Sequence, residues 1–427
     1  MSLVPLLVLL FFATPVSADT RPASPKLAAL AAAIPGDSGA VARFWREAAG
    51  TGTPLVEPIG EDRENVLVTF LYRGGEDVKN VAVIVNRGMW GDIDANAMER
   101  LPGADIWHRT YKMRRDARFT YQLSVNDPLT SVRELRSVEE WMMRSAGWRL
   151  DPLNPRRFPL YPSPLSVVEL PAAPPQPWVA ERAGVPKGQV QACKIKSLIL
   201  GNERTVWVYS PPGAGEDKIP PGLLILFDGG AYNGWVPTPT ILDNLLAERR
   251  IPPLLAVFVS HPVGARDSEL CCSDPFTRFL TEELVPWLRR DFSVTSDPER
   301  TIIGGSSYGG LGAAYAAFRH PEIFGCVLSQ SGGFMYSPAG ESEPEWLIRH
   351  FAASPKLAIR FHLDCGLMED RPSADGAPSL LATNRHLRDV LLAKGCRVHY
   401  LEFNGGHEYL SWRGTLADGL MALLSAR

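Results

Sequence analysis

The chain is predicted to fold as an α/β protein, a mostly parallel sheet with helices on both faces, preceded by a smaller antiparallel β-sandwich. Three observations carry that expectation. Beyond residue 190, short apolar runs alternate with helical segments, the pattern of a parallel sheet whose crossovers are helices. Between about residues 64 and 127 the runs are short alternating strands separated by glycine or polar turns, as in an antiparallel sandwich. A proline-rich stretch joins the two regions and reads as a semi-rigid connection.

Element by element, the first region opens with a helical SPKLAALAAAI and continues through the strands ENVLVTFLYRG, KNVAVIVNR, DIWHRTYKM and RFTYQLSVND. The second offers the strands ERTVWVYSP, GLLILFDGG, LLAVFVS, TIIGG, GCVLSQSGG, KLAIRFHLDCG and RVHYLEFNGG. Between them lie the helices TILDNLLAERR, TRFLTEELVPWLRRDF, LGAAYAAFRH and RHLRDVLLAKG. The expected organisation is a sandwich over residues 19–158, a proline-rich linker over 159–190 and a catalytic α/β domain over 191–427. Residues 1–18, MSLVPLLVLLFFATPVSA, form an apolar run ending in the small residues Val16-Ser17-Ala18, which reads as a signal peptide leaving Asp19 as the mature N-terminus. The run carries no Lys or Arg ahead of it, and it is shorter than the ~20 residues that span a bilayer.

Composition removes several function classes. A formal net charge of −3 gives no whole-chain case for nucleic acid or for an anionic membrane surface. Six cysteines in 427 residues do not make a disulfide framework, and their spacing carries no metal pattern. Buried thiols are expected, and no metal or other cofactor.

Chemistry concentrates in TIIGGSSYGGLGAAY, residues 301–315. Gly305-Ser306-Ser307-Tyr308-Gly309 matches G-x-S-x-G with Ser307 at its centre, a tight strand-to-helix turn that needs small residues two before and two after the nucleophile. Placing Ser306 at the centre would require a small residue at 308, where Tyr308 stands. A serine hydroxyl needs a base, and in this topology acid and then histidine follow the serine. His407 fits, in the loop Asn404-Gly405-Gly406-His407 after a strand near the chain end. The preceding loop offers Asp364, Glu369, Asp370 and Asp375 as the acid; Glu369 is the first choice, with Asp370 and Asp364 left open. An oxyanion hole needs two backbone N–H groups, expected from Tyr308 and from Gly230 in Asp228-Gly229-Gly230.

Taken together, FDGG…W, RDSELCCSDPF, DPERTIIGGSSYGG, FGCVLSQSGG, EPEWLIRHF and GGHEYLSWRG resemble consecutive blocks of the enterochelin (enterobactin) esterase family, in the esterase D branch of the α/β-hydrolases. DPLNP, SVVELPAAPPQPW and LVTFLYRG extend the resemblance over nearly all of the mature chain. It implies a serine esterase that cleaves the trilactone of a catecholate siderophore, with iron arriving on the substrate. It supports Ser307 and His407, favours Glu369, and makes Arg266 a substrate contact, although Ala265 stands where the common pattern has histidine. A ferric tris-catecholate is anionic and aromatic, so cations and aromatic faces should line its site. Tyr232, Trp235, Trp412 and Arg413 are candidates at the mouth, with Lys112, Arg114, Arg115 and Arg118 if the sandwich packs over the site. The signal peptide points to the periplasm, a departure from the best-known members of that family, which are cytoplasmic. The resemblance implies a small-molecule ferric catecholate as partner, and neither nucleic acid nor, for the mature chain, a membrane is expected. Two other readings compete, a feruloyl or acetyl esterase acting on polysaccharide and a siderophore-binding protein without turnover.

Overall fold

A computed structural model describes residues 23–85, 93–131, 135, 137–161, 163–214, 219–372 and 376–424. The signal-peptide expectation therefore lies outside the described residues, as does Asp375. Among the described residues, no helix is long and apolar enough to cross a membrane.

The first region begins with helices α1 (Pro25–Ala33) and α2 (Ala40–Thr51). Ser24 caps α1 by accepting from the Leu27 N–H, which satisfies one of the donors that a helix start leaves open. Strands β1 (Leu55–Ile59), β2 (Asp62–Arg73), β3 (Val81–Val85), β4 (Glu99–Arg100), β5 (Ile106–Arg114) and β6 (Arg118–Val125) follow. Then come α3 (Val138–Ser145), β7 (Trp148–Arg149), β8 (Arg157–Phe158) and β9 (Leu165–Glu169). They form two antiparallel sheets, ordered β1-β2-β5-β4 and β3-β6-β9-β8 with β7 on β6. Val66, Val68 and Phe70 of one sheet and Val83, Phe119, Tyr121 and Val168 of the other share one buried cluster. The expected sandwich is thus present. Its extent differs from expectation, because β9 lies inside the proline-rich stretch and pairs with β6 from Arg118↔Glu169 to Tyr121↔Ser166. The prolines flank this strand and do not interrupt its ladder, since Leu165–Glu169 contains none.

The second sheet has eight strands. They are β10 (Gln189–Ser197), β11 (Asn202–Ser210), β12 (Gly222–Leu226), β13 (Leu254–Val259), β14 (Thr301–Ser306), β15 (Cys326–Gln330), β16 (Arg360–Gly366) and β17 (Arg397–Phe403). Their order is β10-β11-β13-β12-β14-β15-β16-β17. From β13 to β17 every neighbouring pair is parallel, and β11 runs antiparallel to both β10 and β13. Strand β10 was not foreseen: it is a largely exposed edge strand, without the apolar run that marks the central ones.

Helices α4 (Gly229–Asn233), α5 (Thr238–Ala247), α6 (Arg266–Leu270), α7 (Asp274–Arg278), α8 (Val285–Asp291) and α9 (Tyr308–Arg319) lie between the strands. So do α10 (Trp346–Ala353) and α11 (Leu380–Ala393), and α12 (Tyr409–Leu424) follows β17. Alternate residues of each central strand face opposite ways. Leu223, Ile225, Val257 and Ile303 join a cluster with α8, α9 and α11, whereas Leu224, Leu226, Phe258 and Ile302 join one with α5 and α12. Both faces are covered, as continuous apolar strands require. All six cysteines are unbridged, and Cys326, Cys365 and Cys396 are buried.

Candidate active site

Strand β14 hands over to α9 at Ser307, whose φ of 58° and ψ of −125° lie in a region that costs a non-glycine residue about 1–3 kcal/mol. Its backbone is held on both sides. The N–H donates to the Gln330 carbonyl at 2.9 Å, and the carbonyl accepts from Gly310, Leu311 and Gly333 at 3.0, 3.2 and 2.9 Å. Gly305 is needed here, because a Cβ on it would sit 3.0 Å from the backbone of Gly309. Ser306 ends β14 and is buried. The two serines therefore differ as the motif demands.

Strand β12 lies beside β14, so its C-terminal turn flanks the elbow. Asp228 there adopts φ 53°, ψ 47° and starts α4 at Gly229 and Gly230. Gly230 is exposed, and the first N–H groups of a helix have no partner within it. Tyr308 opens α9 in the same way. Gly230 and Tyr308 thus occupy adjacent helix starts at the carboxyl end of the sheet, where ligands bind in open α/β folds.

His407 follows β17, and its Nδ1 lies 2.7 Å from Oε2 of Glu369. Oε1 of the same carboxylate accepts from the Ser331 hydroxyl at 2.7 Å and the Gly366 N–H at 2.8 Å. The other acids are placed elsewhere. Asp370 is exposed, and Asp364 is fully buried against His362, with Nε2···Oδ2 at 3.2 Å. Gly405 lets the histidine loop approach the sandwich, since a Cβ on it would meet the Arg118 carbonyl at 2.7 Å. Gly405→Ala is expected to cost about 1–3 kcal/mol of stability through this overlap, measurable by urea unfolding; an unchanged midpoint would show that the loop yields freely.

Ser307 and His407 line one cavity of about 230 Å³ together with Thr120, Phe158, Leu160, Leu165, Arg266, Ser306, Glu408, Tyr409 and Trp412. A larger cavity of about 770 Å³ lies among Pro186, Pro211, Leu246, Arg250 and Pro253. It contains none of the elbow residues, so its size does not make it the reacting site. The sandwich covers the smaller cavity through Thr120 and the β8–β9 hairpin, not through its basic cluster. Lys112 pairs with Asp62 and Arg114 with Asp116. Arg115 donates to the Arg63 carbonyl, and Arg118 pairs with Glu169 at 2.6 Å.

The five expected substrate contacts fall in different places. Tyr232 is corrected: it is fully buried and its hydroxyl donates to Gln330 Oε1 at 2.7 Å, because α4 turns the ring into the core. Trp235 is partly buried behind the wall, 5.3 Å from the Tyr409 ring. Trp412 does line the cavity, packed edge-on to the His407 ring at 4.9 Å with its indole N–H donating to Ser331. Arg266 reaches the cavity, but its Nε and Nη2 are engaged by Asp228 at 2.6 and 2.7 Å. Burial opposes its charge, and Asp228 more than offsets that, so its pKa rises. Arg413 is spent on Gln176 at 2.7 Å and on the face of Phe158.

Sequence reasoning missed Thr120, Phe158, Leu160, Leu165, Glu408 and Tyr409. The apolar positions in RRFPLYPSPLSVVEL were a visible signal, read as linker because of the prolines. Glu408 is buried, and burial pushes its carboxyl up to about 7, with the Thr120 donors pulling it back down. Among the described residues no group of three or more His, Cys, Asp or Glu gathers to hold a metal ion.

Residues 197–423 match the family model described as Putative esterase, and residues 67–179 match that described as Enterochelin esterase, N-terminal. The chain is 30% identical to an iron(III) enterobactin esterase of Dickeya dadantii, over 90% of this chain and 92% of that one. It is 27% identical to an iron(III) salmochelin esterase of Escherichia coli, over 88% of this chain and 92% of that one. Among solved structures, the ferric enterobactin esterase of Salmonella typhimurium superposes with a TM-score of 0.73 at 27% identity, covering 90% of this chain and 98% of its own. The enterobactin esterase of Shigella flexneri, solved in the presence of enterobactin, gives 0.69 at 26% identity, covering 89% and 97%.

Proposed function

Because this chain belongs to the enterobactin esterase family, we propose that it is a serine hydrolase that cleaves the trilactone esters of enterobactin-type catecholate siderophores. The observation that carries the reading is the pairing of Glu369 with His407 Nδ1 beside an elbow serine in one cavity. With its Nδ1 proton directed at the carboxylate, His407 presents Nε2 as the base. Ser307 Oγ attacks the ester carbonyl and loses its proton to Nε2. The N–H groups of Gly230 and Tyr308 receive the developing oxyanion. His407 then returns the proton to the departing serine oxygen of the substrate, and water repeats the sequence on the acyl-enzyme. Iron enters and leaves with the substrate.

The cavity suits this substrate class. Phe158, Leu160, Leu165, Tyr409 and Trp412 provide apolar and aromatic surface for one aryl arm. Arg266, charged but bound to Asp228, supplies a fixed dipole more than a free cation.

Ferric and metal-free enterobactin, a feruloylated sugar and p-nitrophenyl butyrate separate the readings. Linear dihydroxybenzoyl-serine products from the parent chain are expected. Binding without turnover would indicate a carrier, and turnover of the feruloyl ester alone would remove the siderophore assignment. We further propose that the protein acts in the periplasm, supported by the apolar opening segment. The mass of the mature chain isolated from that compartment should correspond to a start at Asp19, and an unprocessed mass would refute export.

A further inference from the structure

We propose that the sandwich positions the catalytic base: Thr120, bonded to Glu408, fixes the loop that carries His407. The proposal rests on the esterase reading above and adds two positioning residues to it. Strand β6 pairs with β9 along residues 118–121, and its register with β3 runs from Tyr121 to Val125. Ahead of that register, the N–H groups of Arg118 and Thr120 are taken by the histidine loop. Arg118 donates to the Asn404 carbonyl at 2.9 Å. Thr120 donates its N–H to both Glu408 oxygens at 3.0 and 3.1 Å and its hydroxyl to Oε2. Asn404 in turn donates to Asp116 at 2.7 Å. The histidine loop is thus bonded to β6 through one backbone hydrogen bond and through the Glu408 carboxylate.

Glu408 directly follows His407, so displacement of its carboxylate moves the imidazole. A carboxylate buried in this way is held only by good donors, and Thr120 supplies both its N–H and its hydroxyl. The acid loop uses the same support. Met368, the neighbour of Glu369, enters the buried cluster of the sandwich, and its N–H donates to the Gly405 carbonyl at 3.1 Å. Glu369 and His407 therefore hold their mutual geometry through a domain that contributes neither of them. The charged groups facing Glu408 are Glu369 from the loop after β16 and Arg413 from α12, with His407 beside it in the chain. Protonating Glu408 removes acceptor capacity from the Thr120 contact, so the loop is held best in the carboxylate form.

The test uses the full mature chain with p-nitrophenyl butyrate and with enterobactin, alongside thermal midpoints. Thr120→Val is expected to lower kcat about tenfold on both substrates, with KM within about twofold, since a small misplacement of a catalytic group costs rate more than binding. Thr120→Ser, which keeps the hydroxyl, should restore kcat. Glu408→Gln should lower kcat similarly, and its acid limb of kcat/KM should lose the contribution of an ionisation near 7. Combining Thr120→Val with Glu408→Gln should cost no more than either alone. Parental kcat in Thr120→Val, failure of serine to rescue, or an unchanged acid limb in Glu408→Gln would overturn the proposal. A parent chain without Ser307-dependent turnover of p-nitrophenyl butyrate would instead overturn the esterase reading, and this inference with it.

Discussion

Ser307→Ala is expected to abolish hydrolysis of enterobactin and of p-nitrophenyl butyrate, with kcat falling by about five or six orders of magnitude. The thermal midpoint should stay within a few degrees of the parent. The separation of these two effects follows from how the serine is held. Every bond that secures Ser307 in its elbow is made by the main chain, through Gln330, Gly310, Leu311 and Gly333. Alanine keeps those bonds, and it bears the φ of 58° at the same cost that serine does. Only the oxygen is lost, the atom proposed as the nucleophile. Any residual rate would come from the oxyanion donors and from substrate positioning. Labelling by a fluorophosphonate, read by mass spectrometry at residue 307, should vanish with activity. Retention of more than about a hundredth of kcat would move the nucleophile elsewhere, since no triad loses so little without its serine.

The parts of this molecule legible in its sequence are those written over a few neighbouring residues. The central strands announce themselves as apolar runs because both of their faces are buried, as Leu223 to Leu226 are. The elbow is legible because its turn demands glycine at 305, where Gly309 comes within contact. His407 is legible because it follows the last strand in a glycine-rich loop. The parts that escaped depend on contacts made far along the chain. Arg266 reads as a free cation until Asp228, 38 positions away, is found across its guanidinium. Tyr232 reads as an aromatic at the mouth, yet Gln330 draws its hydroxyl inward. Thr120 carries no local mark of function, and its partner lies 288 positions on. The β8–β9 hairpin illustrates a conflict of signals, in which prolines suggesting a connection surround a strand that closes both the sandwich and the reacting cavity. The choice of Glu369 over Asp370 and Asp364 falls between these cases. Its loop was evident, but which carboxylate the turn after Gly366 aims at the imidazole is read from the structure.

That aim has a consequence for substitution, in which glutamine should be worse than alanine at position 369. Oε1 of Glu369 accepts from the Gly366 N–H and the Ser331 hydroxyl, while Oε2 faces His407 Nδ1. A glutamine in this place must put its amide oxygen where Oε1 stood, because the Gly366 N–H can only donate. Its NH₂ group then faces Nδ1 and forces that nitrogen to accept. The imidazole proton moves to Nε2, the nitrogen that should receive the proton of Ser307, and the base is disabled. Glu369→Gln is therefore expected to lower kcat by about 10³–10⁴-fold, as a wrong tautomer does in other triads. Alanine removes the carboxylate without dictating the tautomer, so its loss should be about tenfold smaller. Asp370→Asn, at an exposed side chain, should leave kcat within about twofold, in line with ordinary surface changes. The same ordering should appear in both substrates, because it arises in the base and not in the cavity wall. Equal losses in Glu369→Gln and Asp370→Asn would detach Glu369 from the triad. Glutamine milder than alanine would mean that Ser331 and Gly366 do not orient the side chain as their distances indicate.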